Sequence, residues 1–320
     1  MNEAEAINLF KPLWADISEK DQYWVKKPLL AHYTSIPVLE SMLTNNEIWL
    51  SNPLFMNDID EVRFGISNGF PMVLQNSEIS DALHTPDRVN AFRSSFAYFH
   101  NVFVSDHAFD TYVFCLSEHD ANDFDGKLSM WRGYGGNGNG SAIVFDATNA
   151  PPIEESPFII AKVQYANAKD RIDWLNTLIS LFVSIIKGGD IPDDKLYLAA
   201  FELFERIKLF SLYTKHHGFI EEKEWRLVYL TDRDTSGKLK SMFDYDIGPR
   251  GIEPKLKFKV APIDGVFSSL SLTGLIERII LGPSISSPLA KASIERMFDK
   301  MEKPELKRKI FTSTIPFRAI

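Results

Sequence analysis

The chain has 320 residues, 45% hydrophobic and 24% charged, with a net charge of −8. That length suffices for a large core, and the composition is ordinary for a soluble globular protein. The acidic sign excludes a general polyanion binder, which needs a basic face, yet leaves room for a narrow cleft that takes one nucleotide. A single cysteine, Cys115, rules out an internal disulfide, and no apolar run approaches the roughly 18 residues that span a bilayer. MNEAEAINLF carries acids where a signal peptide carries Lys or Arg, so the expectation is a cytoplasmic protein with no membrane partner.

Ile7, Phe10, Leu13, Trp14 and Ile17 recur at helical spacing, and Pro12 should kink that helix or delay it; residues 1–28 form an N-terminal helical extension. Leu29 to Tyr33 is a short apolar strand. Ser35 then caps a helix with Pro37 in its first turn and Val38, Leu39, Met42 and Leu43 on its buried stripe. Asn45-Asn46 ends it, and Glu47 to Ser51 is a second strand. The loop Asn52 to Asp58 leads to a helix with Asp58 as cap, and another helix covers Asp87 to Val104.

Further along, Tyr112 to Ser117, Ser141 to Asp146 and Phe158 to Tyr165 read as strands. Two long helical patterns fill 168–217, broken at Gly188-Gly189-Asp190-Ile191-Pro192, and look like a helical pair inserted into a β-rich body. Strands follow at Glu221 to Leu230, Lys255 to Val260, Arg278 to Leu281 and Lys309 to Thr314, with a capped helix from Ser287 to Met301. The pattern predicts one α+β domain over 1–320, mostly antiparallel, with helical insertions.

Gly133-Tyr134-Gly135-Gly136-Asn137-Gly138 fits G-x-G-x-x-G, but a dinucleotide fingerprint needs a strand before it and a helix after it, and neither flank qualifies. The seven histidines show no metal-ligand spacing, so no metal is expected. No G-x-S-x-G elbow and no phosphate-binding loop of the Walker type is present. What remains is a set of polar residues at strand ends: His32-Tyr33-Thr34, Asn57-Asp58, Ser117, Met130-Trp131-Arg132-Gly133-Tyr134 and Glu222-Lys223-Glu224-Trp225-Arg226. Sites are built in such places, although each piece has an ordinary structural role open to it as a cap, a turn or a packed ring. Alternation in the last stretch places Glu222, Glu224 and Arg226 on one strand face.

LAHYTS, FMNDIDE, FCLSE, MWRGYGGNGNGSAIVFD and EEKEWRLV, in that order, resemble a bacterial family of domains of unknown function. The N-terminal part is in turn similar to DarT-type and other ADP-ribosyltransferases, which place a histidine on the first strand and a glutamate on a later one. The resemblance implies a split, mostly antiparallel sheet and an NAD-dependent effector of a toxin or phage-defence system. It also implies an acceptor among nucleic acids or proteins, and an antitoxin or trigger protein as partner. It makes Glu224 the carboxylate facing the ribose, with Glu222 on the acceptor and His32 on a ribose hydroxyl beside Thr34. Tyr33, Trp131 or Tyr134 would stack on a ring of NAD, and Arg132 would pair the pyrophosphate. Asn57 and Ser117 complete the NAD-contacting set. Two other outcomes stay open: a non-catalytic domain that binds a nucleotide or partner, and a metal-independent nuclease.

Overall fold

The computed structural model describes residues 1–15, 23–56, 59–148, 156–248, 251–264, 266–267 and 269–317. Its helices are α1 (Glu3–Leu9), α2 (Tyr23–Lys26), α3 (Ile36–Asn45), α4 (Ile59–Leu74), α5 (Ser77–Leu83), α6 (Pro86–Val102), α7 (Leu128–Gly133), α8 (Ala168–Gly188), α9 (Leu196–Tyr213), α10 (Leu272–Leu275) and α11 (Pro288–Lys300). Its strands are β1 (Leu29–Thr34), β2 (Glu47–Ser51), β3 (Tyr112–His119), β4 (Ser141–Phe145), β5 (Phe158–Lys162), β6 (Gln164–Ala166), β7 (Thr214–His216), β8 (Glu224–Tyr229), β9 (Phe243–Gly248), β10 (Gly251–Lys259), β11 (Ile276–Leu281) and β12 (Ile310–Thr312). No helix among the described residues is long and apolar enough to cross a membrane.

The chain divides into two compact units. Unit 1 gathers Met1–Gln22, Pro53–Thr111 and Val163–Phe219; unit 2 gathers Tyr23–Asn52, Tyr112–Lys162 and Ile220–Ile320. The sequence pattern suggests instead a single domain carrying 168–217 as an inserted pair. Burial explains the difference. Helix α9 is buried on nearly every side, from Leu196 through Tyr213, and a single partner helix cannot cover it. Helices α4, α6 and α8 supply the rest of the wall, so Phe92, Phe96, Phe182, Leu203 and Ile207 share one core. The closest approach is built on two glycines one turn apart in α4. A Cβ at Gly65 would lie 2.1 Å from Ser211 Oγ, and one at Gly69 2.9 Å from Ile207 Cγ2.

Unit 2 is a mixed α/β body around an open, mostly antiparallel ten-stranded sheet, ordered β12-β11-β4-β1-β3-β2-β10-β9, with β8 and β5 branching from β3. The branch is the architectural centre. One edge of β3 runs along β8, from Tyr112↔Tyr229 to Ser117↔Glu224. The other edge is shared: β1 takes the Ser117 to His119 end and β2 takes Val113. The sheet therefore forks between β1 and β2, with Cys115 at the fork.

Alternation sorts side chains onto two cores. Leu30, Phe114, Leu116 and Trp225 turn into the larger one with Ile143 and Phe145. Ala31 and Tyr33 turn to the smaller one with Met130, Trp131, Ala142 and Val144. Sequence signals at several boundaries are seen directly. Ser35 Oγ accepts the Val38 N–H at 3.4 Å, Asn46 ends α3 at φ 53°, and Ser287 caps α11 through Ala290 N at 3.2 Å. Strand β9 lies outside the predicted set. The expected strand at Phe158 to Tyr165 is two strands, β5 and β6, in different sheets. Of the expected N-terminal helix, α1 ends before Pro12 and a short 3-10 turn carries Lys11–Trp14.

Candidate functional site

The Gly-rich stretch follows helix α7 rather than a strand and leads into β4, so it is no dinucleotide loop. Its glycines serve close backbone packing. A Cβ at Gly140 would stand 2.1 Å from the Thr34 carbonyl oxygen, and one at Gly282 would stand 2.4 Å from that of Gly138. Three chain segments touch there, and only glycine fits.

Helix α7 delivers Trp131 into the smaller core, fully buried, edge-on to Tyr33 at 4.9 Å between ring centroids. Trp131 Nε1 donates to the Asp125 carbonyl at 2.9 Å, and Tyr33 Oη accepts the Lys127 N–H at 2.9 Å. Burial pushes the Tyr33 phenol up to about 12, so it stays protonated. Both rings are packing residues. Of the three aromatics proposed to stack on NAD, Tyr134 alone offers an open face, at 43% exposure.

The stretch around Glu224 is not a continuous strand. Residues His217–Glu222 form a 3-10 turn, Lys223 is left-handed at φ 45°, and β8 begins only at Glu224. The even spacing of Glu222 and Glu224 therefore does not put them on one strand face. Ser117 lies beside the backbone of both. It lies opposite Glu224 in register, and its buried hydroxyl donates to the Glu222 carbonyl at 2.6 Å. Beyond it, Tyr134 Oη donates to Glu222 Oε1 at 2.7 Å. Glu224 is buried and accepts from Arg226, Nε to Oε1 at 2.7 Å and Nη2 to Oε2 at 3.2 Å. A buried carboxylate stays ionised only with such a partner.

Lys127 completes the cluster and is the member that sequence reasoning passed over. Its Nζ donates to Ser117 Oγ at 2.9 Å and to the Glu118 carbonyl at 3.0 Å. Burial first, and the charge of Lys223 next, lower its pKa. Ser117 and Lys127 have hydroxyl-to-amine contact, yet the serine proton is directed to the Glu222 carbonyl and the serine is 1% exposed, so this is no nucleophile with its base. The one sequence signal for Lys127 is its place between the Asp123 turn, where Asp123 Oδ1 accepts from Asp125 N and Gly126 N, and the apolar start of α7.

His32 stands apart from this cluster. Register carries Ala31, Ser117 and Glu224 on one face in a row across three strands, so alternation turns His32 to the other face. There its ring lies 4.4 Å from that of Phe114, and Nδ1–H donates to the Cys115 carbonyl at 3.0 Å, capping the fork. Burial lowers its pKa, so the ring is neutral at pH 7, with Nε2 an acceptor. Thr34 is buried on the same side, opposite Ser141. Arg132 is exposed, its guanidinium 5.2 Å from the Phe317 ring. Asn57 and Asp58 lie outside the described residues. Among the described residues no three His, Cys, Asp or Glu side chains come together as metal ligands.

Six residues thus meet at one end of β3 and β8: Ser117, Lys127, Tyr134, Glu222, Glu224 and Arg226. No curated protein and no solved structure matches the chain. Residues 130–227, under a third of the length, match a family described as a protein of unknown function, DUF2971. The matched segment starts inside α7 and ends inside β8, so it takes in Tyr134, Glu222, Glu224 and Arg226 and leaves out His32, Ser117 and Lys127.

Proposed function

We propose that unit 2 is an ADP-ribosyltransferase-like effector of a toxin or phage-defence system, taking NAD⁺ as substrate at the Glu222–Glu224 end of the sheet. The observation that carries this reading is a pair of unlike carboxylates two residues apart at the start of β8, with Ser117 bonded to the backbone of Glu222 and in register with Glu224. One, Glu224, is buried and held by Arg226. The other, Glu222, faces Tyr134 at the exposed side. In the transfer, the C1′–N bond to nicotinamide breaks, its electron pair leaves on the nicotinamide nitrogen, and positive charge grows on the ribose. An ionised carboxylate beside that ribose favours the transition state over the ground state. Glu224 takes that role, with Arg226 keeping it ionised. The acceptor nucleophile then bonds to C1′ and gives its proton to Glu222. Tyr134 supplies a flat face and a polar tip at the mouth, and Arg132 is the nearby exposed cation for a phosphate. His32 takes no part in these steps.

The test is transfer itself. Purified protein with isotope-labelled NAD⁺ and either nucleic acid or a protein mixture should label an acceptor, and Glu222→Gln should remove the label while the variant unfolds at the wild-type denaturant midpoint. Cleavage of RNA or DNA without NAD⁺ would point to a nuclease instead. A second reading has its own support. Glu224 is closed by Arg226 and His32 lies on the other face, the pattern of a domain that binds a nucleotide or partner without turning it over.

A further inference from the structure

In unit 2 the apolar face of the sheet outruns its core. Along the hairpin of β9 and β10, Leu256 pairs with Phe243, Pro254 with Tyr245 and Ile252 with Ile247, and alternation sets all six on one face. Leu256 is buried in the larger core, and Phe243 packs against it. Beyond that pair the cover stops: Tyr245 is 55% exposed, Ile252 66% and Ile247 71%. Apolar side chains scattered singly over a surface are ordinary, but these three share one face of one hairpin.

The same hairpin ends the sheet. Among the described strands β9 pairs with β10 alone, so its other edge is open. Pro254 fixes which groups that edge presents. It has no N–H to give Tyr245, so the two stand as a non-hydrogen-bonded pair and the Tyr245 N–H and C=O turn outward. By alternation those of Phe243 and Ile247 do the same. The Tyr245 N–H is met only locally, by Asp244 Oδ1 at 2.8 Å. β9 carries no lysine, proline or register shift, the common guards of such an edge.

Charge decides what fits there. The opposite face of the hairpin carries Asp244 and Asp246 on β9 and Glu253, Lys255 and Lys257 on β10. Lys257 pairs with Asp244 at 3.0 Å, and Lys255 with Glu253 at 3.1 Å. Asp246 stands directly across from Glu253, a like-charge pairing that is unfavourable in a ladder, and among the described residues it has no ion-pair partner. A second copy of β9 is a poor occupant, because two-fold antiparallel pairing keeps like faces together and sets the acids of one copy against those of the other. A strand that brings Lys or Arg beside Asp246, and apolar side chains beside Tyr245 and Ile247, satisfies both faces.

We infer that the open edge of β9 receives an extended segment of a partner protein in which apolar and basic side chains alternate. The backbone groups of Phe243, Tyr245 and Ile247 supply the hydrogen bonds of an added strand, and the two faces of the hairpin supply selectivity for its side chains. The surface is separate from Glu222 and Glu224 and does not depend on the transfer chemistry proposed above.

Fluorescence anisotropy with a labelled short peptide of alternating lysine and valine, titrated with the full chain, tests this. Saturable binding is expected, and a peptide of the same composition with its lysines and valines in two blocks should bind at least about tenfold more weakly. Ile247→Pro removes an outward N–H without taking a bond from the ladder, and Asp246→Lys reverses the charge; each should weaken binding at least about tenfold. Glu305→Lys, which changes the net charge equally at an exposed position elsewhere in unit 2, should leave it unchanged. Matching circular dichroism spectra check that the variants fold, and Asp246→Lys carries the test by itself if Ile247→Pro does not. No saturable binding by folded wild type, equal binding of the two peptides, or equal weakening by Asp246→Lys and Glu305→Lys would overturn the assignment. So would a wild-type dimer in sedimentation that Ile247→Pro dissociates, since the edge would then belong to a second copy.

Discussion

The two units meet buried and half-buried charge with different partners. In unit 1, aromatic rings meet much of the enclosed charge. The Arg206 guanidinium lies 5.4 Å from the Trp14 ring and 5.0 Å from that of Trp174, and Nε donates to the Leu13 carbonyl at 2.7 Å. Glu202, its pKa raised by burial, accepts from Trp14 Nε1 at 2.9 Å. Lys208 pairs with Glu205 at 2.6 Å, and the Arg171 guanidinium stands 3.8 Å from the Phe64 ring. Arg206, Glu202 and Lys208 are each met by a ring, a carbonyl, an indole N–H or a counter-charge, whereas the Arg171 Nε is buried without a hydrogen-bond partner among the described residues. In unit 2 the cluster at the end of β3 relies on counter-charges and carbonyls: Glu224 pairs with Arg226, Lys162 with Glu118, and Lys127 donates to Ser117 Oγ and the Glu118 carbonyl. The contrast is one of partner chemistry: aromatic rings in a helical core, counter-charges and backbone carbonyls at the end of a sheet.

Breaking a completed network should cost most. Arg206→Ala removes a guanidinium held by two indoles and a carbonyl, and urea unfolding should show a loss of about 3–5 kcal/mol. Trp131→Ala opens the smaller core of unit 2 and should cost roughly 3–5 kcal/mol by the same measurement. Arg226→Met leaves the Glu224 carboxylate buried without its partner, at a cost of about 3 kcal/mol. The double change Glu224→Met with Arg226→Met should recover most of that loss. No recovery in the double variant would mean that the pair is not the unit assumed here.

The fork provides a smaller, pH-dependent effect. Burial lowers the His32 pKa, so above about pH 6.5 folded and unfolded states both hold the ring neutral and its stabilising contribution is complete. As pH falls from there through the lowered folded value, the unfolded chain takes up the proton first and stability drops. His119 shifts the same way, by burial. Denaturant midpoints from pH 7.5 to 5 should therefore decline less steeply in His32→Gln than in wild type. Least of all in stability is Tyr134→Phe, which loses one exposed hydrogen bond to Glu222 and should stay within about 1 kcal/mol of wild type. Any NAD⁺-dependent activity, by contrast, should fall measurably.

Much of the fold could be read from local pattern. Alternation marked Leu29 to Tyr33 and Tyr112 to Ser117 as strands, and Ser35 and Ser287 marked helix starts, because both signals live within a few residues. The membership of unit 1 could not be read that way. Periodicity shows that α8 and α9 are helices, yet it does not say that α9 is walled by helices from residues 59–102, a fact that lies in long-range contacts. The site divides along the same line. Glu222, Tyr134, Ser117 and Glu224 were singled out by residue type, and they do meet. Their arrangement was misjudged, because one left-handed residue, Lys223, cancels the alternation that seemed to align Glu222 with Glu224. The pairing of His32 with Glu224 depended on register across three strands, which no single stretch of sequence contains. Lys127 was overlooked in a polar loop, where only tertiary structure reveals that a lysine turns inward.

Nicotinamide release from NAD⁺ by the purified chain, followed chromatographically, tests the central claim most directly. The account predicts release by wild type, an at least hundredfold fall in Glu224→Gln, and little change in Lys240→Gln, with all three proteins unfolding in cooperative transitions. Release no faster than in protein-free buffer, or equal release by Glu224→Gln, would contradict it.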